Sequence, residues 1–270
     1  MRLSLTSWSF PLCTLAECAA ISRALGIGAL DLGLFYRSGL DKARLLATPE
    51  AVARDVLALG VALPNYYHLF GDGLAGRNLA LPGMGAQNAD DLARVMTFAD
   101  AAGIGSVFVL PGVINPGQSR DQAAAVAAEN LGRLMGVAQG FAARLCVEPH
   151  VHSWAESPAM VQRLVTETGV GLCLDYAHFA CLGYRQDEID VLAPHATHVH
   201  LRQARIGQLQ AKFDQGTLNF PALFGTLRAA GYQGWMALEA VHQDYMATLG
   251  DDVMTETIRM RDSFAAWKGE

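Results

Sequence analysis

The chain contains 270 residues, of which 51% are hydrophobic, and it carries a formal net charge of −6. This length and composition allow a sizeable core, and the acidic charge argues against a nucleic-acid-binding protein, since such proteins usually present a basic face. No apolar run is long enough to span a membrane, and the first residues lack the apolar segment of a signal peptide. We therefore expect neither a membrane-spanning segment nor a signal peptide.

Short apolar segments alternate with helical ones along the whole chain. Strands are predicted at residues 2–8, 28–34, 61–67, 105–110, 143–149, 170–175, 196–201 and 234–239. Helices are predicted at residues 14–25, 49–59, 89–102, 120–139, 158–168, 186–192, 220–230 and 243–266. Many of the strands are apolar throughout, as expected of parallel strands that are buried on both faces. Eight such units predict a single-domain α/β protein, a (β/α)8 TIM barrel over residues 1–270.

An open, doubly wound sheet is the competing architecture, but no G-x-G-x-x-G motif follows the first strand. Residues with capping side chains support the helix boundaries. These are Thr14 with Glu17 and Ser119 with Gln122 as capping boxes, Thr48 and Ser157 before prolines, and Asn88 and Asn219.

Four of the later strands end in a side chain that can bind a metal ion: Glu148, Asp175, His200 and Glu239. In a parallel barrel the carboxyl ends of the strands and the loops after them form one face, where active sites lie. One carboxylate at a strand end more often caps a loop or forms an ion pair. Several carboxylates that converge without a cation would repel each other, so the set of four favours a metal site.

Oxygen and imidazole ligands without thiolates suit Mn²⁺, with Co²⁺, Mg²⁺ or Zn²⁺ as alternatives. The five cysteines show no zinc-finger spacing, and we expect a reducing, cytoplasmic environment.

Other residues near the predicted strand ends are candidates for substrate contact. His68 and His150 are two of these, and aromatic side chains could form the walls of a pocket, although packing in the core is an equal alternative for each. The aromatic candidates are Trp8, Phe35, Tyr66 and Trp154. The segment 205–212 is interpreted as a mobile loop over the site or as an ordinary connection.

Several segments resemble the xylose isomerase-like TIM-barrel superfamily of sugar isomerases and epimerases, and the likeness is strongest between residues 143 and 240. The matching motifs are Val147-Glu148-Pro149-His150, Leu174-Asp175-Tyr176-Ala177-His178, His198-Val199-His200-Leu201, Leu238-Glu239 and the approach to the last strand at 214–223.

The ketose 3-epimerases of this superfamily imply a role for each matching residue. By this resemblance, Glu148, Asp175, His200 and Glu239 bind Mn²⁺, and the two glutamates act as the acid/base pair. His178 would contact the substrate. A downstream arginine would do so too, and Arg205 is the nearest match, with Arg202 as the alternative.

The chain departs from the pattern at one place, because many relatives carry an acidic residue two or three positions after the seventh-strand histidine. In this chain, Arg202, Gln203 and Ala204 stand two to four positions after His200. Endonuclease IV-type enzymes share the barrel and use three zinc ions. This sequence has Leu110 near the place of their fourth-strand histidine and lacks their Asp-x-His motif after strand seven, which argues against DNA repair.

These features predict a metal-dependent isomerase or epimerase that moves a proton next to a carbonyl through an enediolate. The alternatives are a lyase or dehydratase acting on a keto-acid or oxidised sugar, and a catalytically silent sugar-binding barrel. The expected partner is a small sugar or keto-acid, with no nucleic acid and no membrane. The long last helix could pair two subunits of a homo-oligomer or pack on its own barrel.

Overall fold

The computed structural model of the chain describes residues 1–33, 39–243 and 246–269. Eight parallel strands form a closed barrel in which each strand pairs with its neighbour in sequence and β8 pairs with β1. The strands are β1 (Arg2–Thr6), β2 (Leu30–Gly33), β3 (Asn65–Tyr67), β4 (Ser106–Val109), β5 (Arg144–Val147), β6 (Gly171–Asp175), β7 (Ala196–Leu201) and β8 (Trp235–Leu238). The predicted (β/α)8 barrel is confirmed.

Helices surround the barrel. They are α1 (Leu15–Ala24), α2 (Lys42–Ala47), α3 (Pro49–Leu57), α4 (Gly85–Ala102), α5 (Arg120–Ala138), α6 (Pro158–Thr168), α7 (Tyr176–Cys181), α8 (Gln186–Ile189), α9 (Phe220–Ala229) and α10 (Val253–Lys268). The short helices α2 and α7 are absent from the prediction. The last helix begins ten residues later than predicted, because the Asp252 side chain accepts a hydrogen bond from Thr255 N and caps the helix there.

Most of the predicted capping residues are confirmed. Thr14 and Ser119 form complete capping boxes, and the side chains of Ser157 and Asn219 accept hydrogen bonds from the first turns of α6 and α9. Two of the predictions are wrong. The Thr48 hydroxyl donates to Arg44 O and does not cap α3, although Pro49 begins that helix.

The other exception is Asn88, which lies within α4 because that helix begins at Gly85. Its side-chain amide donates to Arg77 O. The polar group therefore ties the preceding loop to the helix.

Two apolar layers hold the barrel in place. The larger one fills the space between strands and helices. The smaller one occupies the inside of the barrel, because alternate side chains of each strand point inward. Its buried members are Trp8, Tyr67, Phe108, Cys146, Cys173 and Val241. A side chain at Gly33 would come within 2.8 Å of the Trp8 ring, so the glycine leaves room for that indole.

The last helix packs on its own barrel. The ring of Phe264 lies 5.1 Å from that of Phe224 in α9, and Trp267 lies 5.5 Å from the same ring. An oligomer through this helix stays a prediction. Within the described part of the chain, every helix is too short or too polar to cross a membrane.

Candidate metal centre

Four side chains from four neighbouring strands meet at the carboxyl end of the barrel. Glu148 follows β5, Asp175 ends β6, His200 lies in β7 and Glu239 follows β8. Each of them offers one ligand atom, and these atoms all lie within 4.8 Å of one another. All four residues are buried. The structure therefore brings together the residues that the sequence pattern selected, which are separated by up to 91 positions in the chain.

The imidazole of His200 faces two of the carboxylates. Its Nδ1 atom lies 2.6 Å from Glu148 Oε1 and 3.2 Å from Glu239 Oε2. The opposite nitrogen, Nε2, lies 3.6 Å from Cys173 Sγ inside the barrel. Nδ1 is thus the atom through which His200 would bind a metal ion.

The carboxylates of Asp175 and Glu239 each accept a hydrogen bond on one oxygen, and the second oxygen of each faces the four-residue group. Asp175 Oδ1 accepts a hydrogen bond of 2.8 Å from Ala177 N at the start of α7. Glu239 Oε1 accepts one of 2.8 Å from the indole Nε1 of Trp8. Glu239 Oε2 is buried, and the two donors near it among the described residues, His200 Nδ1 and Arg202 Nη2, lie within 3.3 Å without forming a well-aligned hydrogen bond. A buried oxygen in this state is costly, and a metal ion would satisfy it.

Arg202 is the cation beside this group. Its Nη2 atom lies 2.6 Å from Asp175 Oδ2 and 3.3 Å from Glu239 Oε2, and the residue is buried. Three carboxylates and one guanidinium leave two negative charges when His200 is neutral. A divalent cation would neutralise them, and hard oxygen ligands with one imidazole suit such an ion. The residues present therefore fit a divalent metal.

Burial and the neighbouring charges together shift the pKa values of the group. Burial raises the pKa of Glu148, and it raises that of Asp175 against the effect of Arg202. Burial opposes ionisation of Glu239 too, but Arg202 and His200 hold its pKa below the ordinary value. Burial opposes protonation of His200, yet Cys173, Glu148 and Glu239 raise its pKa well above the usual range.

An open cleft above the four residues has one polar and one apolar side. It encloses about 710 Å³, including its open mouth. The polar side carries His150, His178 and Arg202 in addition to the two glutamates. The apolar side consists mainly of rings and aliphatic side chains, from Trp8, Tyr67, Leu74, Phe108, Leu110 and Val113.

Two predicted substrate-contact histidines lie on the polar side. His178 Nε2 is 3.6 Å from Asp175 Oδ2, and its Nδ1 accepts a hydrogen bond from Val151 N. His150 lies beside it, with 6.1 Å between the ring centroids. Burial lowers the pKa of both imidazoles, and nearby Arg202 lowers that of His178 further.

Two other predicted contacts are not brought to the cleft. Arg205 is exposed, and its guanidinium donates to Gln208 Oε1 at 2.7 Å within the same loop, so Arg202 takes the place beside the carboxylates. His68 is fully buried behind the cleft wall. Its Nδ1 lies 3.4 Å from the Tyr66 hydroxyl, and burial lowers its pKa to about 3.

Among the predicted aromatic wall residues, Trp8 lines the cleft. Tyr66 points outward, and its ring lies 5.2 Å from Phe98 in α4. Trp154 is buried, and its indole donates to Pro111 O. Phe35 lies outside the described residues. Two further aromatic residues of the cleft, Tyr67 and Phe108, were not predicted, although both follow the inward alternation of their strands.

Two further features explain the sequence after β7. Gln203 is buried and ties the following loop down, since its side chain accepts from Leu218 N and donates to Leu218 O. Where many relatives have an acidic residue, this chain therefore has an amide side chain that holds the loop in place. Below the four-residue group, His198 Nε2 lies 2.6 Å from Asp31 Oδ2, a buried pair that the sequence analysis did not identify.

Comparisons with known proteins agree with this architecture. A family model described as xylose isomerase-like TIM barrel matches residues 20–262. Among curated proteins, no sequence matches this chain significantly.

Solved structures with the same fold include three with informative descriptions. An L-ribulose 3-epimerase is 16% identical, with a TM-score of 0.75 over 98% of this chain and 94% of the other. An IolI protein with a bound zinc atom is 13% identical, with a TM-score of 0.76 over 99% of both chains. A D-psicose 3-epimerase from Clostridium cellulolyticum, solved with D-tagatose, is 14% identical, with a TM-score of 0.70 over 97% of both chains.

Proposed function

The chain belongs to the xylose isomerase-like TIM barrel family, and on this premise we propose that it is a divalent-metal-dependent isomerase or epimerase of a small sugar. The observation that carries the proposal is the convergence of Glu148 and Glu239, from strands three positions apart in the barrel, on one buried group with Asp175 and His200. Relatives described as L-ribulose 3-epimerase and D-psicose 3-epimerase support the substrate class.

The first step of the reaction removes a proton from the carbon next to a carbonyl. This C–H group is too weakly acidic to lose its proton without help. A divalent ion, when bound by the four residues, would stabilise the negative charge that develops on the carbonyl oxygen. One glutamate takes the proton to give an enediolate, and the other returns a proton from a different side. Glu148 and Glu239 are the proposed pair, and they exchange these roles with the direction of the reaction.

The surrounding residues are suited to support these steps. Trp8 donates to Glu239 Oε1 and so limits the positions that this carboxylate can take. Arg202 and His178 bring donors to the polar side of the cleft, where they would hold substrate oxygens. Tyr67 and Phe108 exclude water from the apolar side. The cleft admits a small molecule, and with the acidic net charge this argues against a nucleic-acid substrate.

The metal is proposed to be Mn²⁺, with Co²⁺, Mg²⁺ and Zn²⁺ as alternatives that the same ligands accept. The solved structure of an IolI protein contains a bound zinc atom, which supports a divalent ion in this type of barrel. Metal identity should therefore be tested as a variable in the assay.

The experiment is proton exchange with solvent. The protein, supplied with each metal in turn, is incubated in D₂O with L-ribulose, D-psicose, D-tagatose and 2-ketogluconate. The metal is removed with a chelator, and the products are read by proton NMR. Deuterium next to the carbonyl with an intact carbon skeleton supports the proposal. Loss of water or of a fragment indicates the lyase, and unchanged sugars indicate a silent binding barrel.

Glu239→Gln tests the acid/base role directly, because it keeps the shape of the side chain and removes the base. We expect the exchange rate to fall by about 100-fold or more, the usual contribution of a positioned acid or base. Glu129→Gln, at an exposed glutamate of α5, is the matched control and should leave the rate unchanged. Full turnover by the Glu239→Gln protein would contradict the proposal.

A further inference from the structure

A strained turn begins at His150 on the polar side of the cleft and is hydrogen-bonded to His178 on the same side. It spans residues 150–153 and is closed by a hydrogen bond of 3.2 Å from Ser153 N to His150 O. Its third residue, His152, has a φ of 68°, the left-handed value that position takes in a type II turn, where glycine or asparagine is preferred. A non-glycine residue held in this conformation indicates that the surroundings impose it.

Three hydrogen bonds hold the turn in this conformation. His150 Nδ1 lies 2.6 Å from Val151 O, His152 N donates to Glu156 Oε1 at 2.8 Å, and Val151 N donates to His178 Nδ1 at 3.1 Å. Val151 is thus held at both ends, with its carbonyl bound to one histidine and its N–H bound to the other. The side chains of these two histidines line the same cleft.

The chemistry of the Val151 backbone fixes the tautomers of both rings. A carbonyl oxygen can only accept, so His150 Nδ1 must carry a proton. An amide N–H can only donate, so His178 Nδ1 must be the bare nitrogen, and a neutral His178 carries its proton on Nε2. That Nε2–H has the acceptor Asp175 Oδ2 at 3.6 Å. Arg202 Nη2, at 3.4 Å, is itself a donor and cannot accept from it.

We propose that His150 is a positioning residue: through Val151 it fixes His178 in the tautomer that donates from Nε2 into the cleft. The inference rests on the proposed function for its consequence, which concerns the substrate. The atom that lies against His178 must be a hydrogen-bond acceptor, such as a carbonyl or hydroxyl oxygen. A substrate with only a donor there would be rejected.

The test reads the tautomers without any turnover. Protein labelled with ¹⁵N at histidine is loaded with Mg²⁺, which does not broaden the signals, and long-range ¹H–¹⁵N spectra are recorded at pH 8. His178→Gln and His150→Asn identify the two sets of resonances. We expect a protonated Nε2 and a bare Nδ1 for His178, and a protonated Nδ1 for His150. A His178 that is protonated on Nδ1 overturns the proposal.

Two substitutions of His150 separate positioning from simple packing. Asparagine can place an amide N–H where His150 Nδ1 stands, so His150→Asn should leave His178 in one tautomer. Leucine fills similar space without a donor, so His150→Leu should give His178 a mixture of both tautomers. His195→Gln, at the opposite end of β7, should change nothing. A single unchanged tautomer in His150→Leu overturns the proposal. If that variant does not fold, His150→Ala, which also lacks the donor, takes its place, and a single unchanged tautomer there overturns the proposal in the same way.

With a sugar that exchanges deuterium, His150→Leu should raise KM about tenfold, the effect of losing one oriented donor, with a smaller change in kcat, while His150→Asn stays near the wild type. Absence of any exchange would count against the proposed function, but the tautomer spectra would still decide the role of His150.

Discussion

The two halves of the barrel contribute differently to the same cleft. The half from β5 to β8 supplies the four candidate ligands with His178 and Arg202, and polar contacts between side chains dominate there. The half from β1 to β4 supplies mainly rings and aliphatic side chains, such as Tyr67 stacked on Phe108 with 4.6 Å between centroids. The side from β5 to β8 therefore carries the candidate metal ligands and polar groups, and the side from β1 to β4 shapes the cleft. Substitutions on the two sides should have different consequences.

Phe108→Ala should have the largest effect on stability. The ring is buried inside the barrel against Tyr67 and 5.2 Å from His200, so its loss should lower the free energy of unfolding by about 3–5 kcal/mol. Denaturant unfolding measures this change, and calorimetry with Mn²⁺ should show that the ion still binds. The control is Leu12→Ala, at a side chain that is 83% exposed, which should stay within about 0.5 kcal/mol of the wild type.

A loss of metal affinity in Phe108→Ala as large as the loss of stability would break the distinction between the two halves. It would show that the apolar side holds the ligands in place as well as shaping the cleft.

Trp8→Phe should have an intermediate effect, because Trp8 is the residue that joins the two sides. Its ring belongs to the apolar interior, while its indole N–H donates to Glu239 Oε1. Phenylalanine keeps most of the ring and removes this donor, which is worth about 1.5–3 kcal/mol when the acceptor is charged. We expect the rate of deuterium exchange to fall about tenfold or more, with a smaller change in the unfolding midpoint. An unchanged rate would show that Trp8 contributes to packing and not to the position of Glu239.

Arg205→Ala should have the smallest effect. The side chain is exposed and bonded within its own loop, so the free energy of unfolding should change by less than about 0.5 kcal/mol, and KM should stay the same. Steady-state kinetics with the sugar that exchanges fastest checks this outcome. A large rise in KM would show that the loop brings Arg205 to the substrate, and the polar side would then extend beyond Arg202.

The barrel itself could be predicted from sequence because its signals are local and repeated. All eight strands were located, and the four candidate ligands followed from their place at strand ends. The late start of α10 could not be seen in the apolar pattern, because it depends on Asp252 capping that helix. Local pattern alone also does not say that α2 and α7 form, since each is a short turn of helix inside a loop.

For Arg202 and His68, the alternation of side chains along a strand would have improved the prediction. Arg202 stands two residues after His200 in the same strand direction, so alternation alone would have pointed it inward. His68 stands two residues after Tyr66, and both face away from the barrel interior toward the helices. The tautomers of His150 and His178 depend on a turn conformation that no residue pattern specifies.

The central claim is that Glu148, Asp175, His200 and Glu239 bind one divalent ion. Elemental analysis of the purified chain after incubation with Mn²⁺ and gel filtration tests it most directly, beside the double variant Asp175→Asn/His200→Asn. We predict about one ion per chain in the wild type, and little in the double variant while it keeps its circular dichroism spectrum. A wild-type chain that retains no divalent ion, or a double variant that retains as much as the wild type, would contradict the account.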